Sequence, residues 1–124
     1  MKIISTALMA LGLLLLSGCA PSFTVDDLYG IWTEASGVTQ FNKNGTYVVA
    51  GSVDGLTSLP PHEYGVFRFE GTTLTLITDK ESGLCSGTTG SYEVEMVEEG
   101  KIEITLIEDP CEHRSRVWRN VFIR

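Results

Sequence analysis

The sequence predicts an all-β fold, a small eight-stranded antiparallel up-and-down barrel. Three observations lead there. Apolar and polar residues alternate with period two through most of the chain after residue 30. Turn dipeptides such as Asn44-Gly45, Glu70-Gly71 and Glu99-Gly100 separate the alternating runs. No stretch carries apolar residues at sustained helical spacing.

In order, Thr24 is placed to cap a brief helical turn through Asp26, Asp27 and Leu28, with acids where a helix N-terminus favours them. Gly30 to Ala35 reads as the first strand and Val38 to Asn42 as the second. Lys43-Asn44-Gly45 is a turn, because Asn-Gly adopts the positive φ angles that tight hairpins need. Thr46 to Ser52 is the third strand, and a loop with Gly55 and Pro60-Pro61 follows. His62 to Phe69 and Thr72 to Thr78 form the next hairpin. Residues 79–90, rich in Gly and Ser, read as a loop. Tyr92 to Val97 and Lys101 to Glu108 form another hairpin, and Ser115 to Ile123 is the closing strand.

The faces are clearest in the second half. Tyr92, Val94 and Met96 share one face, with Glu93 and Glu95 on the other. Ile102, Ile104 and Leu106 share one face, opposite Lys101, Glu103 and Thr105. One apolar and one solvated face define an antiparallel sheet that packs on itself. Short hairpin links favour the barrel, and a two-sheet sandwich is the alternative that periodicity leaves open.

The N-terminal region differs from the rest. Met1-Lys2 precedes an apolar run from Ile3 to Leu16, which ends at Ser17-Gly18-Cys19. A basic start, an apolar stretch and small residues before a break have the layout of a secretory signal. The cysteine after Ser-Gly resembles the lipobox of bacterial lipoproteins. The resemblance implies cleavage before Cys19, a diacylglycerol on its thiol, and anchoring in the cell envelope. Residues 1–18 are then a removed signal peptide, 19–23 the lipidated N-terminus and tether, and 24–124 the barrel domain. Ala20, in place of an aspartate, resembles lipoproteins sorted to the outer membrane of cells with two membranes. Of three cysteines, lipid takes Cys19 and leaves Cys85 and Cys111 as the simplest disulfide in an oxidising compartment.

The order of short motifs resembles a second family. Leu28-Tyr29-Gly30-Ile31-Trp32 looks like the start of a lipocalin, where a helical turn precedes Gly-x-Trp on the first strand. Phe41 to Tyr47 resembles the F-x-x-x-G-T-Y hairpin of small bacterial lipocalin-like domains, and Tyr64 to Phe67, Gly71 to Leu74 and Gly90 to Tyr92 follow in their order. Asp109-Pro110-Cys111-Glu112-His113-Arg114 resembles their D-x-C-x-x-R element. The resemblance implies that Trp32 closes one end of a calycin-type barrel and that a late arginine lies over its indole. Arg114 is the first choice for that arginine and Arg116 the second.

Charge and motifs narrow the function. Removing residues 1–18 takes away Lys2 and no acid, so the net charge moves from −7 to −8 over 106 residues. Such a chain is a poor ligand for nucleic acid and suits solubility or a basic protein partner. His62, His113, Cys85 and Cys111 lack metal-ligand spacing, so no metal or cofactor is expected. Ser86 and Ser91 lie in no G-x-S-x-G element, and neither Asp79 nor Glu81 belongs to a calcium loop, so no catalytic residues are assigned. Phe41, Tyr47, Tyr64, Phe67, Tyr92 and Trp118 are the candidates to line the barrel mouth, and inward tyrosine hydroxyls need partners. The expectation is a non-enzymatic, lipid-anchored binding module for a small apolar molecule or lipid. The alternatives are an acidic protein-interaction lipoprotein resembling the periplasmic inhibitors of lysozyme, and a ligand-free structural barrel.

Overall fold

Eight antiparallel strands pair in chain order and close into a barrel in the computed structural model, which describes residues 23–58, 61–119 and 121–124. The expected signal of residues 1–18, the expected lipidation site Cys19 and the expected tether up to residue 22 lie outside the described residues. The strands are β1 (Gly30–Glu34), β2 (Gly37–Phe41), β3 (Thr46–Ala50), β4 (Glu63–Glu70), β5 (Thr73–Thr78), β6 (Thr89–Glu98), β7 (Lys101–Glu108) and β8 (Val121–Ile123). A short helix α1 (Val25–Leu28) precedes β1, and α2 (Glu112–Val117) lies between β7 and β8. Closure rests on β8, which pairs with β7 at Ile102↔Phe122 and with β1 at Thr33↔Ile123.

The up-and-down order gives the barrel two unlike ends. The tight turns β2–β3, β4–β5 and β6–β7 lie at one end with α1 and the last residue, Arg124. This is the turn end. The longer β3–β4, β5–β6 and β7–β8 connections lie at the other, the loop end.

Period-two alternation builds the core. Trp32, Phe41, Tyr47, Phe67, Leu74, Leu76, Tyr92, Val94, Ile102, Ile104 and Phe122 point inward and pack together with Leu28 and Trp118. The pattern fades at Met96, which is 38% exposed where the β6–β7 register shifts. Helix α1 plugs the turn end. The Asp27 carboxylate accepts the Thr24 N–H at 2.9 Å, and Leu28 is fully buried beneath it.

The chain after β7 departs from the expected closing strand of residues 115–123. Residues 112–117 are helical, and the strand is confined to Val121–Ile123. The residues buried here are Arg114 and Trp118, four apart and on one helical face. With arginine as one of the two anchors, apolar periodicity does not mark that face. Strand β6 also starts earlier than expected, at Thr89, because Thr89 and Gly90 pair with Ile77 and Leu76.

Cys85 and Cys111 are disulfide-bonded, with Cα atoms 5.4 Å apart and a sequence separation of 26. The bond ties the β5–β6 connection to the residue preceding α2. Closing a loop of that length stabilises the fold by about 3–4 kcal/mol through the unfolded chain.

Candidate functional site

A buried polar cluster sits at the loop end around Arg114. Helix α2 carries this side chain inward, held by the disulfide at Cys111 and by the Asp109 carboxylate, which accepts the Cys111 N–H at 2.9 Å. Asp109 also receives the guanidinium in a fork, from Nε at 2.5 Å and Nη2 at 3.0 Å. Nη1 donates to Glu63 at 2.9 Å and to Thr78 Oγ1 at 2.6 Å, and Nη2 donates to Thr88 Oγ1 at 3.2 Å. Four segments therefore converge on one cation: β4, β5, the β5–β6 connection and the link after β7.

Two inward tyrosines complete the cluster. The Tyr47 hydroxyl donates to Glu63 Oε2 at 2.7 Å and lies 2.7 Å from Thr78 Oγ1. With the phenol proton directed at Glu63, Thr78 is left to donate to Tyr47. The Tyr92 hydroxyl donates to Asp109. The side chains of Arg114, Glu63 and Asp109 are 0–3% exposed.

Burial alone favours neutral forms, and charge pairing opposes it. Desolvation acts against the Asp109 anion, but hydrogen bonds from Arg114, Tyr92 and the Cys111 N–H outweigh it and hold the carboxyl below its usual range. Desolvation likewise acts against the Arg114 cation, and Asp109 and Glu63 more than restore it, raising its pKa. Desolvation and the neighbouring carboxylates push both phenols well above the ordinary tyrosine value. The cluster keeps its phenol protons and its guanidinium, and spends its donors and acceptors on one another. It ties the loop-end connections to the barrel wall.

Gly90 makes room for this arrangement. A Cβ at residue 90 would sit 2.5 Å from Asp109 Oδ2 and 2.9 Å from Arg114 Nη2.

The structure corrects the assignment of the arginine over Trp32. Arg114 is engaged in the interior cluster, and Arg116 lies on the surface beside Glu112, 3.4 Å away. Arg124 takes the position, with Cζ 4.5 Å from the indole centroid. The indole Nε1 donates to the Leu28 carbonyl at 2.7 Å. Trp32 therefore sits at the turn end, on the far side of the core from Arg114.

Of the six aromatics expected at the barrel mouth, Phe41, Tyr47, Phe67, Tyr92 and Trp118 are buried inside. They pack on one another. Ring centroids are 5.0 Å apart for Phe41–Phe67 and 5.3 Å for Tyr92–Trp118, and Trp118 continues to Phe122 at 5.1 Å. Tyr64 does not join them. Alternation along β4 sends Glu63 and Phe67 inward, so Tyr64 lies on the outer wall in a groove with Val48, Val66 and Ile77. Both histidines are exposed.

Sequence reasoning passed over Glu63, Thr78 and Thr88 as cluster members. Glu63 had a readable signal, since it stands at even spacing from the inward Phe67. Thr88 had none, because its role depends on where the β5–β6 connection folds. Comparison with protein-family models, curated proteins and solved structures gives no match to this chain.

Proposed function

We propose that this chain is a non-enzymatic, lipid-anchored envelope protein that binds a basic protein partner on the outer wall of its β6–β7 hairpin. The anchor is the acylated Cys19, with outer-membrane placement in a cell with two membranes. This is the inhibitor-type reading of a small acidic barrel. Interior ligand binding receives less support, because the inward aromatics fill the barrel with contacts among themselves.

The supporting observation is the pairing of Glu95 with Glu103 across the hairpin. Like charges directly opposite on an antiparallel pair destabilise it. Glu93, Glu98, Glu99 and Glu108 lie on the same hairpin, and Lys101 is its only base. Lys101 reaches Glu98 at 3.8 Å and is 39% exposed. Met96, Val97 and Ile107 stand exposed among these acids. A groove of about 620 Å³ beside them is lined by Glu93, Glu95, Met96, Val97 and Phe23. Lysine and arginine fit such a wall, their stems lying on the apolar residues and their heads reaching the carboxylates.

The test is titration of the mature lipoprotein with a basic lysozyme and with an acidic protein of similar size, over a range of salt. Affinity for the basic protein that falls steeply with salt, and that weakens in Glu95→Gln/Glu103→Gln, is the expected result. Salt-insensitive uptake of an apolar fluorescent probe, with no binding of the basic protein, would favour the interior-pocket reading instead.

A further inference from the structure

We infer that the turn end of the barrel docks on a zwitterionic lipid surface through a groove around Phe23 and Phe69. This rests on the anchoring of Cys19 proposed above. The groove has a volume of about 610 Å³ and is lined by Phe23, Thr24, Val25, Phe69, Gly71 and Thr72, none of them charged. Phe23 stands edge-on to Phe69 with centroids 5.7 Å apart. Both rings and Val25 are only partly buried against the core, so apolar surface faces outward at this end.

Chain length supplies the occupant. Cys19 precedes Phe23 by four residues, which span at most about 14 Å when fully extended. Acyl chains on Cys19 therefore hold the groove within that distance of the bilayer surface. At such a distance, weak apolar contact acts at high effective concentration. Partly exposed aromatic rings suit the headgroup boundary, where one side is apolar and the other wet. Asp26 and Glu70, exposed and next in the chain to the groove residues Val25, Phe69 and Gly71, oppose anionic headgroups, so the surface it fits is zwitterionic. In this pose the loop end points away from the membrane, and Phe23, which lines both grooves, goes to the lipid while Glu95, Glu103 and Ile107 of the β6–β7 wall stay open to a partner.

The experiment uses the full lipoprotein, purified from bacterial membranes and placed in phosphatidylcholine–phosphatidylethanolamine vesicles. A Thr72→Cys variant carries an environment-sensitive dye at the groove, and a Ser86→Cys variant carries it at the loop end. No other thiol competes, since Cys19 is acylated and Cys85 is bonded to Cys111. The expected result is a blue-shifted dye at residue 72, quenched by brominated acyl chains several-fold more than the dye at residue 86. Replacing part of the lipid with phosphatidylglycerol is expected to reduce that quenching. Equal, weak quenching at both positions in protein whose N-terminal peptide carries lipid overturns the docking and leaves the anchor standing. An unmodified Cys19 by mass spectrometry overturns both.

Discussion

Arg124 covers Trp32 from the turn end, its guanidinium 4.5 Å from the ring centroid. The same side chain donates to the carbonyls of Asp27 and Tyr29, each at 2.9 Å. One residue thus shields the indole face and pins the chain between α1 and β1.

The two members of this pair are expected to differ in cost. Arg124 is exposed, so its cation–π contact and hydrogen bonds together are worth about 1–2 kcal/mol, and Arg124→Ala should lower stability by that amount. Trp32 is fully buried, and Trp32→Ala should cost about 3–5 kcal/mol by loss of packing. Urea unfolding of both single variants and the double variant checks this. The expected coupling lies between residues 32 and 124 and is absent between 32 and 114.

Removal of Arg114 is expected to be more damaging than removal of Arg124. Arg114→Met leaves Glu63 and Asp109 buried without their cation, a loss of about 3–5 kcal/mol. Arg114→Lys should recover only part of this, because an ammonium cannot reproduce the fork onto Asp109. Chemical denaturation of the two variants beside the parent protein gives the comparison.

The shifted groups set acid and alkaline limits. The Asp109 pKa is lowered from 3.8, so its contribution is present above that pH and drains away as pH falls through the folded value. Tyr47 and Tyr92 are raised from 10.0, so their contribution is present below pH 10.0 and is lost as pH rises beyond it. Stability measured against pH should therefore decline at both extremes. In an alkaline ultraviolet titration, Tyr47 and Tyr92 should ionise only as the barrel unfolds.

Gly90→Ala is expected to destabilise the barrel by about 1–3 kcal/mol, since its methyl group must displace buried charged atoms. The thermal midpoint is the readout, with Gly45→Ala as a comparison. Gly45 has open space around it and strain only from its φ of +87°.

The architecture was legible because it depends on local pattern. Alternation on β5, β6 and β7 and the turns at residues 44–45, 70–71 and 99–100 placed most of the strands in order. Those signals did not extend past β7. Arg114 and Trp118 share a buried helical face, but a buried cation is invisible to an apolar count. For the same reason the cluster was only half seen. The D-x-C-x-x-R element picked out Asp109 and Arg114, which do meet, yet resemblance sent the arginine to the wrong tryptophan face. Its other partners, Glu63 and Thr78, lie 51 and 36 residues away, a separation that no local motif encodes. Tyr64 was assigned inward from residue type, although strand parity with Glu63 and Phe67 places it outside.

The seam between β1 and β8 has a consequence for biogenesis. Residue 33 finds its neighbour only when residue 123 arrives, ninety positions later. A chain threaded N-terminus first must wait as an open meander, with β1 carrying unpaired backbone groups along one border. Losing the final three-residue strand would leave two bare borders, each a template for pairing with a neighbouring molecule.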